Sequence, residues 1–302
     1  MKSKCAILIT TRNRPAILQE SLTRLRDVGL GELPLYVYDD NSCDPDANRK
    51  VAQSWPNNTF ICGKKWMGQA YGRNLLMRSC EFEYALVLDD DQYFLELGGL
   101  ETHLMSCPNQ GGPAVVTFAR IAKSSGRRDI HAWVPAVRLH VFMGGTALFH
   151  LPSILSVGGF RDYWGFGYEE PELSMRLFAA GYSILYDPSI VMEHNQFYTA
   201  EEGRDSRLYD FLYARNGILL STLNMSLWPG FVEGLIRSAR RSLTSRRNPW
   251  AKVRGTLQGI FDTVKYWNDR KPLPYSTCME WKRLQKAGEN LLNSKPKQDR
   301  QV

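Results

Sequence analysis

The feature that most constrains this chain is an alternation in its first half. Short apolar runs at residues 5–10, 35–38, 59–62, 84–88 and 114–118 have the length of buried strands. Segments 16–28 and 69–80 lie between them and carry helical periodicity. Strands alternating with helices imply an α/β fold, with a mostly parallel twisted sheet flanked by helices. Ligands of such sheets bind beyond the carboxyl ends of the strands. Three polar clusters fall there: Thr11 to Arg14, Asp39 to Asp44, and Asp89 to Asp91.

The pattern weakens after residue 119, where Ser124-Ser125-Gly126-Arg127-Arg128 reads as a loop. A strand is expected at 147–149. A helix is expected at 171–180, with Pro171 at its start and Gly181 at its stop. Two further strands are expected at 183–186 and 190–193, and from about 199 the chain becomes helical and basic. The organisation read from this is a catalytic domain at 1–198, divided near 118/119, a basic helical extension at 199–293, and a disordered polar tail at 294–302.

The strongest chemical signal is Asp89-Asp90-Asp91, which closes the run Tyr84-Ala85-Leu86-Val87-Leu88. Three adjacent carboxylates repel one another unless a cation joins them. Alternate residues of an extended segment point the same way, so Asp89 and Asp91 can face one ion. Hard oxygen ligands suit Mg²⁺ or Mn²⁺, which bridge to phosphates. An acidic surface turn or a helix cap is the plainer reading of the same residues. A second signal is the glycine- and aromatic-rich stretch from Gly158 to Leu173, which delivers Glu169, Glu170 and Glu172 to a helix start. A helix N-terminus stabilises a carboxylate anion, which suits a general base and equally suits simple capping.

In their order along the chain these motifs resemble glycosyltransferase family 2, whose fold is called GT-A. The resemblance runs from about Cys5 to Asn195. It rests on Thr10-Thr11-Arg12-Asn13-Arg14-Pro15, Asp39-Asp40-Asn41-Ser42-Cys43-Asp44, Gly68-Gln69-Ala70-Tyr71-Gly72-Arg73-Asn74, Asp89-Asp90-Asp91 and the 158–173 stretch. Trp164-Gly165-Phe166-Gly167 is also similar to a loop of animal galactosyltransferases. The resemblance implies transfer of a sugar from a nucleotide-diphospho-sugar, uridine or thymidine diphosphate preferred, to a hydroxyl of a glycan or lipid-linked acceptor, with inversion. It implies that Thr11, Arg14, Asp39, Arg73, Asn74, Asp89 and Asp90 bind the nucleotide-sugar. Asp89, Asp91 and His194 would hold Mn²⁺ or Mg²⁺, although a strand-end histidine bonded to backbone explains His194 equally well. Trp164, Glu169 and Glu172 would meet the acceptor. The family usually carries Glu-Asp where this chain has Glu169-Glu170, so the base maps to Glu170, with Glu169 or Glu172 open as alternatives.

The net charge of +7 is concentrated at one end. From Glu233 onward the chain has 16 Lys/Arg against 6 Asp/Glu, and the remainder has 22 against 25. A basic end on a mildly acidic body suggests contact with an anionic surface, and interleaved Trp228, Phe231, Trp250, Phe261 and Trp267 fit a helix lying on a membrane. A solvated basic face is the alternative. The segment Tyr209-Asp210-Phe211-Leu212-Tyr213-Ala214-Arg215-Asn216 resembles the Tyr-x-x-Arg-Asn helix of bacterial family members. Residues 217–232 fall short of the roughly 20 apolar residues of a span. A lysine-bearing start too short for a signal peptide, and six cysteines without a CxxC pair, lead to the expectation of a reducing cytoplasm, with peripheral contact on the inner membrane face. No nucleic-acid motif is present. Two rivals remain. A sugar-phosphate nucleotidyltransferase would need a glycine-rich phosphate loop, and Thr10 to Pro15 has no glycine. A non-catalytic glycan-binding relative would have lost the carboxylates, which are retained.

Overall fold

The computed structural model describes residues 4–105, 112–122, 136–195, 206–244 and 247–293. The loop expected at 124–128 and the expected tail from Ser294 lie outside the described residues.

One nine-stranded sheet organises residues 5–194. Its strands are β1 (Cys5–Thr11), β2 (Leu35–Asp39), β3 (Asn58–Cys62), β4 (Tyr84–Asp89), β5 (Gln92–Glu96), β6 (Val115–Ala122), β7 (Val137–Leu139), β8 (Thr146–His150) and β9 (Ile184–His194). The order is β3-β2-β1-β4-β8-β6-β9-β5, with β7 also paired to β9. The left half, β3-β2-β1-β4, is all parallel; β8 runs against both β4 and β6. Strand β6 then runs parallel to β9, which is antiparallel to β5 and β7. The sheet is therefore mostly parallel, as expected, with β5, β7 and β8 reversed.

Apolar side chains cover both faces. Helices α1 (Pro15–Asp27) and α2 (Pro45–Gln53) close one side, around Leu18, Leu22, Leu35, Val37 and Leu86. Helices α3 (Gln69–Ser79), α5 (Leu151–Ser156) and α6 (Glu169–Ala179) close the other, around Leu76, Met77, Val87, Phe149 and Leu173. A short α4 (Leu100–Met105) follows β5. Two expectations are corrected. The helix placed at 171–180 begins two residues earlier, so Glu169 and Glu170 belong to its first turn. The strands at 183–186 and 190–193 are one strand with a register shift, in which Phe118 pairs with Asp187 and Ala119 with Val191. That irregularity carries His194 to the end of β9, opposite Gln92.

The C-terminal region is helical: α7 (Ser206–Asn224), α8 (Leu227–Thr244), α9 (Pro249–Lys265) and α10 (Tyr275–Asn293). The weakly polar stretch 217–232 is not one helix; it breaks at Met225-Ser226. Its first part, Gly217 to Asn224, is buried, while Trp228 and Val232 are exposed. No described helix is long and apolar enough to cross a membrane.

Candidate active site

The sheet topology brings the ends of β1, β2, β4 and β9 to one edge, and a cavity of about 600 Å³ opens there. Thr11, Arg14, Asp89, Asp90, Asp91, Glu170 and His194 line it together. Segments as far apart in the chain as Thr11 and His194 thus converge as the parallel topology requires.

The three aspartates behave differently. Asp90 is buried and accepts from Thr11 Oγ1 at 2.6 Å and from Arg14 Nη1 at 2.9 Å. Burial pushes its carboxyl up to about 7, against the pull of Arg14 and with added push from Asp91. Asp91 Oδ2 also meets Arg14, at 3.3 Å, and its Oδ1 stands 3.5 Å from His194 Nε2. Asp89 is the more open carboxylate. It accepts from Arg73 Nη2 at 2.7 Å and from Gln92 Nε2 at 3.2 Å. Arg73 itself is buried, and its second terminal nitrogen reaches Glu170 Oε1 at 3.4 Å. Burial alone would lower the guanidinium's pKa, but Asp89, Glu170 and Glu169 together raise it. One fixed cation therefore ties the aspartate cluster of β4 to the glutamates of α6.

Glu169 and Glu170 occupy the first turn of α6, whose unpaired N–H groups favour negative charge. Tyr168, just before them, has φ +66°, a left-handed backbone uncommon outside glycine. Glu169 is buried; Gln69 Nε2 donates to its Oε1, while Oε2 has no partner. Burial, with Glu170 adjacent, raises the Glu169 carboxyl well above its ordinary value. Glu170 is also raised by burial, with Arg73 opposing, and it faces the cavity.

The pair Gly144-Gly145 makes this approach possible. A Cβ on Gly144 would strike Glu170 Oε1, and one on Gly145, at φ +71°, would strike the Asp89 carboxylate. Backbone entering β8 can pass between the two acidic groups only without side chains.

The donor set Asp89, Asp91 and His194 fits a divalent cation in chemistry: carboxylate oxygen and imidazole nitrogen. Two buried oxygens beside it, Gln92 Oε1 and Asn195 Oδ1, have no hydrogen-bond donor. Among the described residues, however, no three His, Cys, Asp or Glu side chains close into a cage. Arg14 and Arg73 bridge the carboxylates instead.

Residues 6–131 match the family model Glycosyl transferase family 2. A mannosyltransferase from Pyrobaculum calidifontis, solved with GDP-mannose and Mn²⁺, superposes with a TM-score of 0.55 at 18% identity; the match covers 98% of this chain and 82% of that one. TarS residues 1–349 from S. aureus, solved with UDP-GlcNAc, give 0.58 at 13%, covering 96% and 88%. GalNAc-T7, solved with UDP, GalNAc and Mn²⁺, gives 0.55 at 12%, covering 90% and 58%. No curated protein matches the sequence.

Over residues 6–131 the chain is similar to glycosyl transferase family 2, and its fold is that of solved glycosyltransferases.

Within this glycosyltransferase fold, six residues expected at the site do not line the cavity: Arg73 and Glu169 are buried, and Asp39, Asn74, Trp164 and Glu172 serve the surrounding structure. Trp164 is fully buried and donates from Nε1 to Gly167 O at 2.7 Å, so it shapes the loop and offers no acceptor platform. The aromatic wall of the cavity comes from the half-buried Trp66, Phe166, Tyr209 and Tyr213, the last two from α7. Glu172 is held by Arg161 Nε at 2.6 Å and by Arg176 Nε and Nη2 at 2.8 and 2.5 Å, which saturates it within the protein. Asp39 accepts from the Ser42 backbone and from Asn48, both at 2.7 Å, and organises its turn; its neighbour Asp40 lines the cavity. Asn74 bonds to both the N–H and C=O of Phe160 and to Asp162, clamping the loop before α6.

Sequence reasoning missed Asp40, whose two oxygens accept from the Met67 and Gly68 N–H groups at 2.8 Å. It also missed Gln69, Gly144 and the tyrosines of α7 as cavity residues. The motif residue Asn216 does have a visible task. Its Nδ2 donates to the carbonyls of Trp164, Phe166 and Gly167 at 2.9–3.0 Å, fixing the loop from the helical side.

Proposed function

We propose that this protein is an inverting glycosyltransferase that moves a sugar from a nucleotide-diphospho-sugar, uridine or thymidine diphosphate preferred, to a hydroxyl of a glycan or lipid-linked acceptor. We assign catalysis to residues 1–198 and an accessory, surface-contacting role to 199–293. The observation that carries the reading is the facing of two acidic groups across one cavity, Asp89 to Asp91 on one wall and Glu170 on the other, bridged by Arg73.

Thr11 and Arg14 hold Asp90, and Asp40 holds the Met67-Gly68 backbone, so the nucleotide wall is built before the donor arrives. Asp89, Asp91 and His194 would hold Mn²⁺ or Mg²⁺, with water or donor phosphate completing a set the protein leaves open. When bound, the metal would neutralise charge growing on the departing diphosphate. Glu170 takes the acceptor proton. Its raised affinity for a proton suits that task, and Arg73 keeps it oriented. Attack from the side of Glu170, opposite the leaving group, is a single displacement and inverts the anomeric centre. Glu169, raised by burial and without a partner on Oε2, favours its protonated form, which lessens the negative charge beside Glu170.

The test is a panel of UDP-, dTDP- and GDP-sugars, with and without Mn²⁺, read by thermal shift and by nucleotide release. Metal-dependent turnover of one donor is expected, falling about 10²-fold or more in Asp91→Asn. Folded protein that binds no donor would overturn the proposal. A product with retained anomeric configuration by NMR would overturn inversion alone.

A further inference from the structure

Helix α9 is inside out. A surface helix normally buries its apolar stripe and wets its polar face. Here the buried face is small or polar: Lys252, Gly255, Gly259, Asp262 and Thr263. A Cβ on Gly255 would strike Phe211 O, and one on Gly259 would sit 2.7 Å from Arg215 O, so the helix presses against the α7 backbone. Asp262 pairs with Arg215 at 2.5 Å, and Thr263 bonds to Thr222 at 2.9 Å. The outward face carries Trp250, Val253, Leu257, Phe261 and Val264, spaced at helical repeats and 78, 49, 62, 65 and 71% exposed. This is the close small-residue packing that helices use where apolar side chains face lipid, and no described helix is a span.

The charges identify the partner. Between Leu227 and Lys265 the sequence holds only two acids, Glu233 and Asp262. Both are ion-paired, Glu233 with Arg237 and Lys282 and Asp262 with Arg215. The exposed charged side chains described over the same stretch, Arg240, Arg247, Arg254 and Lys265, are all cationic. Beside α9, helix α8 adds Trp228 and Ile236, both exposed.

We infer that the outward face of α9 is a docking surface for an anionic lipid bilayer, lying in the interface with its apolar stripe among the acyl chains and its arginines and lysine among the headgroups. The inference deepens the proposed function and rests on it in one respect only. Helix α7, on which α9 sits, also supplies Tyr209 and Tyr213 to the catalytic cavity, so docking would present that cavity to an acceptor held at the membrane.

The test uses the full chain and vesicles of phosphatidylcholine with or without phosphatidylglycerol, read by co-sedimentation. Wild type is expected to partition onto the anionic vesicles and about tenfold or more less onto neutral ones. The double variant Leu257→Gln/Phe261→Gln, altered only at exposed positions, should lose at least about tenfold in partition with its circular dichroism and melting temperature unchanged. Arg254→Glu/Lys265→Glu should lose partition at low salt and resemble wild type at high salt. No partition by wild type, or partition unaffected by both variants, would overturn the inference. So would a wild-type dimer that the apolar double variant converts to monomer, which would assign the face to a second copy. Nucleotide-sugar binding by the same variants separates the two proposals: a chain that docks but binds no donor fails the first proposal and keeps this one.

Discussion

Glu170 and Glu172 stand two residues apart on α6, each among arginines, yet their surroundings give them opposite characters. Glu172 is 1% exposed by side chain and has both oxygens bound by Arg161 and Arg176. Burial would raise its carboxyl, but the two guanidiniums outweigh burial and hold it below its ordinary value of 4.5. Glu170 keeps 18% exposure, faces the cavity, and has one long contact with Arg73, so burial wins and its affinity for a proton rises. Charge alone does not make a catalytic carboxylate. An unsaturated partner set and access to substrate do, and these separate a residue that holds the loop from one that can move a proton.

The sharpest test of this contrast is Glu170→Gln. It should lower kcat by about 10²–10⁴-fold, the usual range for loss of a general base, while the melting temperature barely moves. Near-normal turnover would hand the role to Glu169.

Glu172→Gln should do the reverse. Leaving Arg161 and Arg176 buried without their anion should cost about 3–5 kcal/mol in denaturant unfolding, with the folded fraction still turning over. The pH dependence follows from the lowered value. The stabilisation by Glu172 is complete above the ordinary glutamate range and is lost as pH falls through the folded value, so the penalty of the mutation should shrink in acid. A penalty independent of pH would break the assignment.

The smallest effect is expected for Glu169→Gln. Its raised carboxyl makes the folded state hold a proton that the unfolded state releases, so stability should fall as pH rises through and above the ordinary glutamate range. Removing the group should abolish that decline, seen as a relative gain in melting temperature at alkaline pH, with turnover within about tenfold of wild type. A large loss of turnover with unchanged acceptor binding would place Glu169 in the proton transfer.

The sheet-bearing region was legible because its signals are local. An apolar run that ends in Asp89-Asp90-Asp91 can be read from adjacent residues, and β4 does end at Asp89. Thr11, Arg14, Asp89, Asp90, Asp91, Glu170 and His194 were named from sequence and line one cavity. Where reading failed, neighbours in space decided. Asp39 and Asp40 look alike in sequence, but Asn48 claims the first and the Met67-Gly68 backbone the second. Trp164 looks like a sugar platform until Gly167 and Asn216 are seen to fold its loop inward. Gly144-Gly145 carries no motif; its meaning appears only when Asp89 and Glu170 are placed on either side of it.

The sequence by itself determined the α/β class, most strands of the parallel half, the aspartate cluster and the basic character of the C-terminal end, since each follows from periodicity, charge or adjacent residues. Tertiary structure alone decided which glutamate of α6 is saturated and which is open, which aromatics face the cavity, and that α9 turns its apolar side outward. These depend on which side chains and backbone atoms from distant segments arrive within a few ångströms, and no spacing along the chain encodes that.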